Sequence, residues 1–305
     1  MSISVIIPTY NAQQYLPELL ASLDNQTIEF ELIIIDSSST DETLALVKPY
    51  TQNIITITKD EFDHGGTRTK AAKIASGEYL IFLTQDAIAY DKNTLKTLLD
   101  PFKDPAIVAV YGRQIPHENT SLFGKHLRYF NYASTSHIRT LSDKEKYGIK
   151  TTFFSDSFAA YRKSALQEVN WFKNGLIVGE DMHVIAKLFL ANHKIAYCAK
   201  AKVYHSHSYT LKDEFKRYFD TGVFHTQESW ILKTFGKAEG EGIKYLKSEF
   251  NYLLQHHAYY RIPEFMLRTG LKYIGYTLGK KYQHLPISMI KKLSLHQQWW
   301  EKYSQ

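Results

Sequence analysis

Two short, unbroken apolar runs open the chain, I-S-V-I-I-P-T at 3–9 and E-L-I-I-I-D at 31–36. Runs of this length, rich in β-branched residues, predict strands buried on both faces. Between them Tyr15, Leu16, Leu19, Leu20 and Leu23 recur at helical spacing. The unit repeats, with a helix near 41–48, a strand at 54–58, a helix at 67–76 and the strand Y-L-I-F-L at 79–83. Such alternation predicts an α/β fold with a doubly wound, mostly parallel sheet. From about 107 the pattern loosens. It predicts a strand at 107–111, a helical stretch over 121–146, an apolar-aromatic segment at 152–161, a helix at 181–190 and a strand at 195–204. The last third reads as helices, with amphipathic stretches near 211–235 and 241–260. The change of pattern sets a boundary near 210, between an α/β region of two halves (1–110 and 111–210) and a helical C-terminal extension, 211–305.

Composition changes this picture mainly at the C-terminus. Hydrophobic residues make up 44% and aromatics 14% of the 305 residues, which excludes a chain too polar to bury a core. The net charge of +6 is uneven: residues 1–240 hold 27 basic and 27 acidic groups, whereas 241–305 hold 10 and 4. That segment also carries 12 of the 43 aromatic residues. Tyr273, Tyr276, Lys280, Lys281, Tyr282, Lys291, Lys292, Trp299 and Trp300 interleave rings with cations, which suits an anionic membrane surface; the alternatives are a packed scaffold or an oligomer contact. The lone Cys198 excludes an intramolecular disulfide and a multi-cysteine zinc site. The N-terminus lacks a basic leader and is interrupted by Pro8, and no run of 18 apolar residues occurs, so a cytoplasmic location is expected. Nucleic-acid binding is disfavoured by the absence of module motifs.

Ligands of such sheets bind beyond the carboxyl ends of the strands, so candidate chemistry lies at Pro8–Asn11, Asp36–Asp41, Glu61–Arg68 and Thr84–Ala87. Asp36 closes an apolar strand and faces the crevice as an acceptor for a base N–H or a ribose hydroxyl, while Asp41 reads as a helix cap. Gly65 and Gly66, ahead of a helical stretch, would let backbone N–H groups approach a diphosphate, with Arg68 adding a guanidinium. Asp86 follows a strand, and a lone carboxylate there needs another protein ligand and phosphate oxygens to hold a hard cation. His205 and His207 end a later strand on one face and can supply that ligand, either one serving. Glu180 and Asp181 open a helix, where a carboxylate stays ionised and can act as a general base.

In this order the clusters resemble the inverting family 2 glycosyltransferases of the GT-A fold: V-I-I-P-T-Y-N at 5–11, I-I-I-D-S-S-S-T-D at 33–41, Asp86, G-E-D at 179–181 and the late histidine. H-G-G-T-R at 64–68, T-Q-D-A at 84–87 and V-Y-H-S-H-S at 203–208 look like the bacterial rhamnosyltransferase branch. The resemblance implies that Pro8, Thr9, Tyr10 and Asp36 contact the nucleoside, Arg68 the diphosphate or base, and Gln85 and Asp86 the nucleotide sugar. It implies Mg2+ or Mn2+ on Asp86 and His205, and Asp181 as the base, with Glu180 or Asp156 the substitutes. Two positions depart from the family: D-x-D reads Thr84-Gln85-Asp86, and the asparagine usual after the arginine is Thr69. The implied reaction moves L-rhamnose from dTDP-L-rhamnose to a lipid-linked saccharide of a bacterial surface polysaccharide, at the inner face of the plasma membrane. Rival readings are another donor such as a UDP-hexose, and a catalytically silent nucleotide-sugar-binding scaffold. A pyrophosphorylase lacks its Gly-rich basic signature here, and a dehydrogenase lacks G-x-G-x-x-G after the first strand.

Overall fold

The computed structural model describes residues 1–236 and 239–303. Among the described residues nine strands form one sheet: β1 (Ile3–Thr9), β2 (Glu31–Asp36), β3 (Ile54–Thr56), β4 (Tyr79–Leu83), β5 (Ile88–Ala89), β6 (Ile107–Ile115), β7 (His137–Arg139), β8 (Phe158–Arg162) and β9 (Lys194–Tyr204). Their order is β3-β2-β1-β4-β8-β6-β9-β5, with β7 pairing with β9 at the margin. The first four strands are parallel, and β8 enters antiparallel between β4 and β6. Alternate residues of each strand serve opposite faces. Ile6, Ile33, Ile35 and Phe82 join one apolar layer, and Val5, Ile7, Ile34 and Ile81 the other. At roughly 1.5–3 kcal/mol for each fully buried aliphatic or Phe side chain, these positions fix the sheet's register.

Helix α1 (Leu16–Asp24) buries Leu16, Leu19, Leu20 and Leu23, the stripe seen in the sequence. It is followed by α2 (Thr43–Val47), α3 (His64–Ile74), α4 (Thr94–Leu99) and α5 (Leu122–Asn131). The helix expected over 121–146 is therefore cut short. After Asn131 the polar run Ser134-Thr135-Ser136 offers side-chain bonds that compete with a helix. The Ser136 hydroxyl accepts from the Ala199 N–H, the Tyr197 hydroxyl donates to the Ala133 carbonyl, and β7 joins the sheet.

Short helices α6 (Lys144–Tyr147) and α7 (Lys163–Glu168) lead to α8 (Glu180–Leu190). Beyond β9 run α9 (Leu211–Gln227), α10 (Ser229–Phe235), α11 (Glu239–Gln255), α12 (Ile262–Lys280), α13 (Ile287–Leu293) and α14 (Gln297–Tyr303). Phe219, Val223, Ile231, Phe235, Ile290 and Trp300 enter the same apolar layer as the sheet, so the core runs across residue 210. Helices α9 and α12 touch backbone to backbone: a Cβ at Gly279 would lie 2.0 Å from the Phe219 carbonyl oxygen. The aromatic tail is corrected here. Trp300 is buried, and Trp299 and Tyr282 pack against the core, because large rings gain more by filling the seam between α9 and the sheet than by facing water.

Candidate active site

Strand pairing builds the first wall of the site. Ile88 pairs with Tyr204 and Ala89 with Val203. Continuing that register sets Asp86 opposite Ser206, between His205 and His207. Asp86 Oδ1 lies 3.4 Å from His205 Nε2, and Oδ2 lies 3.6 Å from His207 Nε2. All three groups can present one ligand atom within 4.8 Å of the others. Gln114, at the end of β6, fixes the tautomer of His205. Its Oε1 accepts from the Arg128 guanidinium, which can only donate, so the same oxygen, 2.8 Å from His205 Nδ1, must accept from that nitrogen too. Burial lowers the His205 pKa despite Asp86, and burial together with His205 brings His207 down to about 4. Both imidazoles are thus neutral near pH 7. Burial resists ionisation of Asp86, but the hydrogen bond and charge that His205 offers when protonated, with the charge of His207, outweigh burial and hold its carboxyl well below the usual range. The His205 Nε2 lone pair and an Asp86 oxygen therefore face each other with no proton between them. Two imidazoles and a carboxylate can hold a divalent cation and suit Mn2+ better than the oxygen-preferring Mg2+, with the remaining positions left to phosphate oxygens.

The second wall begins at α8. Gly179 precedes it at φ 79°, a left-handed conformation, and a Cβ there would lie 2.8 Å from the Phe224 ring, so glycine is required on two grounds. This turn brings Glu180 and Asp181 beside Asp156, which arrives on the segment before β8. Arg68 Nη1 is 2.9 Å from Glu180 Oε1, Arg68 Nε is 3.6 Å from Asp156 Oδ2, and the Tyr161 hydroxyl donates to Asp156 Oδ1 at 2.6 Å. Two carboxyls pair with one guanidinium and a third, Asp181, stands beside them, so the three cannot all ionise cheaply. Arg68 overrides burial and holds Glu180 low. Burial, opposed by Arg68 and aided by Glu180, brings Asp156 up to about 7. Burial, Glu180 and Asp156 push Asp181 well above the carboxylate range, although the Met182 N–H donates to it at 2.7 Å. At Asp181 one backbone N–H does not offset burial and two neighbouring acids, so the carboxylate is a stronger base than the helix N-terminus alone would leave it. A raised pKa brings the group nearer to that of an efficient base at neutral pH.

Both walls line one cavity of about 350 Å³, shared by Thr84, Asp86, Ser155, Asp181, His205 and His207. The other expected residues lie at the neighbouring strand tips. Asp36 is fully buried, with Oδ1 accepting from the Thr9 and Ser39 hydroxyls and Oδ2 from the Ser39 N–H. Gln85 clasps the Tyr10 backbone, Oε1 accepting from its N–H at 2.9 Å and Nε2 donating to its carbonyl, so it ties the β1 and β4 tips together. Pro8 is half-buried in the same tip, and the Tyr10 ring is exposed beneath the Lys59 ammonium. Two expectations are corrected at α3. Gly65 and Gly66 stand inside its first turn, where Asp63 already caps the Gly66 N–H; a Cβ at Gly65 would strike the Lys173 carbonyl. Those glycines serve packing, not anion approach. Arg68 has its charge met by Glu180 and Asp156, so it offers no free guanidinium to a diphosphate.

Sequence reasoning missed Gln114, Arg128 and Arg217. Gln114 sits near the end of β6, beyond the strand expected at 107–111, and its only signal is polarity in a buried strand. Arg217 stands on α9, seven residues into a helix placed outside the catalytic region. Its guanidinium stacks on Tyr209 at 4.2 Å and lines the same cavity as Asp86 and Asp181.

A doubly wound sheet whose strand tips carry a carboxylate–histidine group facing a high-pKa carboxylate across one cavity defines a class: glycosyltransferases of the GT-A fold. The chain belongs to glycosyl transferase family 2, which matches residues 4–169. It is 46% identical to the O-antigen chain rhamnosyltransferase RfbN of Salmonella typhimurium (strain LT2), over 98% of this chain and 96% of that one. It is 45% identical, with the same coverage, to the O-antigen chain rhamnosyltransferase WbaN of Salmonella anatum. In fold it is similar to the mannosyltransferase PcManGT of Pyrobaculum calidifontis, solved with GDP-Man and Mn2+, at a TM-score of 0.60, 16% identity and coverage of 97% and 87%. S. aureus TarS 1-349, solved with UDP-GlcNAc, gives 0.55 at 19% identity over 93% and 92%. The chain is a glycosyltransferase. Among the described residues no helix is long and apolar enough to cross a membrane.

Proposed function

We propose that the chain transfers L-rhamnose from dTDP-L-rhamnose to a saccharide acceptor of a bacterial surface polysaccharide, with inversion. One observation carries this reading: near-full-length identity of 46% with an O-antigen chain rhamnosyltransferase. The nucleoside lies at the β1 and β2 tips, against Pro8 and Tyr10, with the buried Thr9–Asp36 pair bracing the tips behind them. The diphosphate lies toward Asp86, His205 and His207, which would hold Mg2+ or Mn2+; the cation, when bound, offsets charge on the leaving diphosphate. Arg217, rather than Arg68, adds a guanidinium on that side.

Asp181 takes the proton of the acceptor hydroxyl as its oxygen bonds to the anomeric carbon. The bond from that carbon to the diphosphate breaks on the opposite face, and its electron pair leaves with dTDP. A β-L donor thus gives an α-L product. Arg68 keeps Glu180 ionised beside Asp181, which makes protonation of Asp181 favourable during the transfer. The acceptor is lipid-linked and the enzyme peripheral on the inner membrane face; the basic excess of residues 241–305 supports this. The experiment is a donor panel: nucleoside diphosphate release from dTDP-rhamnose, UDP-glucose, UDP-galactose and GDP-mannose, with Mn2+ or Mg2+. Release from dTDP-rhamnose alone is expected. Preference for a UDP-hexose overturns the donor, and no release from any donor favours a silent scaffold.

A further inference from the structure

Helix α12 is amphipathic the wrong way round. Its inward side carries cations: Arg268 pairs with Glu214 and Glu264 at 2.9 and 2.7 Å, and Lys272 approaches Glu214 and Glu249. Gly275 and Gly279 on that side press against the α9 backbone. With this side committed to α9 and α11, the outward side is left to Pro263, Met266, Leu267, Gly270, Tyr273 and Ile274, all exposed. Met266 is 67% and Tyr273 72% exposed. A solvent-facing helix ordinarily shows the reverse pattern. The patch continues at both ends. Phe250 of α11, itself exposed, packs beside Phe265 at 5.9 Å between ring centres, and exposed Tyr259 and Tyr260 form the preceding turn.

The charge near this face is mostly basic: its one acid among the described residues, Glu264 in the first turn of α12, is paired with Arg261 and Arg268. From Phe265 to Trp300 the chain contains no Asp or Glu, while Lys280, Lys281 and Lys292 stand exposed near or beyond the end of α12. A two-fold contact between copies would set this patch against itself and bring like charges together. An anionic lipid surface complements both features, taking the apolar stripe below its headgroups and answering the lysines with phosphate. We infer that the outward face of α12, with Leu267 and Ile274 at its centre, is the surface by which this enzyme lies on an anionic bilayer. This inference rests on the peripheral reading above and moves the contact from the packed rings of the tail to α12.

The test is co-sedimentation of the full chain with vesicles of phosphatidylglycerol and phosphatidylcholine in equal parts, or of phosphatidylcholine alone, at low and high salt. Two double variants are compared with it: Leu267→Glu with Ile274→Glu, and Lys281→Glu with Lys292→Glu. Melting temperature and turnover on a water-soluble acceptor are followed for each. The expected result is salt-sensitive binding to the anionic vesicles that falls roughly tenfold or more in both variants, with melting and soluble turnover unchanged. Wild-type-like binding by the Leu267/Ile274 variant overturns the α12 face while leaving the peripheral reading standing. Absence of wild-type binding at low salt overturns both. A wild-type dimer that this variant converts to monomer, without lipid binding, overturns the inference in favour of a self-contact.

Discussion

The two walls of the cavity use the same residue type for opposite ends. On the β4 and β9 side, Asp86 stands between two imidazoles whose protonated forms attract its negative charge, and its carboxyl is held low. On the α8 side, Asp181 stands among other acids, and its carboxyl is held high. Burial raises both. What differs is the company: Asp86 faces groups that welcome a shared cation, whereas Asp181 stands beside Glu180 and Asp156, which take up Arg68 between them. One carboxylate is therefore fitted to a metal and the other to a proton, and environment rather than residue identity assigns the roles.

The strongest way to break this contrast is Asp181→Asn, which removes the proton acceptor and leaves the other wall untouched. Turnover is expected to fall about 10²–10⁴-fold, measured as dTDP release with donor and acceptor saturating. Near-normal turnover would pass the role to Glu180 or Asp156. A smaller effect is expected from Gln114→Met, which removes the carbonyl that orients His205. Metal affinity should drop roughly 10–100-fold, read from the Mn2+ dependence of donor binding, with no change in the pH profile at saturating metal.

The other wall is probed by Asp156→Asn. Asp156 helps to raise Asp181, so its loss should move the acidic limb of the kcat/KM profile to lower pH. The same variant carries a stability signature. An acid whose folded pKa lies above its unfolded one stabilises the fold while protonated, and that contribution is lost as pH rises through the folded value, here about 7. The melting temperature of Asp156→Asn relative to wild type should therefore climb between pH 5 and pH 8, by on the order of a few degrees. A pH-independent difference would show that Asp156 is not the high-pKa partner.

Much of this contrast could be read from the sequence, because strand ends mark themselves. Asp36 ends β2, Asp86 follows β4 within three residues and His205 directly follows β9, and β1, β2 and β4 fall on the expected residues. What could not be read was pairing between distant segments. The β5–β9 register seats Asp86 between both histidines, and nothing local in Thr84-Gln85-Asp86 announces it. Arg68 looked like a phosphate ligand since its neighbours Glu180 and Asp156 arrive more than eighty residues later. The helix over 121–146 failed because Ser136 and Ala133 bond to β9, a partner invisible from their own stretch. In the tail, composition gave the cations and rings but not their direction, and the rings of Trp299 and Trp300 turn inward.

The division of labour between Asp86 and Asp181 is tested most directly by calorimetric titration of dTDP-L-rhamnose into wild type, Asp86→Ala and Asp181→Asn, each with Mn2+ and with chelator. The account predicts that Asp181→Asn binds donor like wild type and loses binding with chelator, while Asp86→Ala binds weakly and ignores the cation. Cation-dependent binding that survives in Asp86→Ala, or disappears in Asp181→Asn, would contradict it.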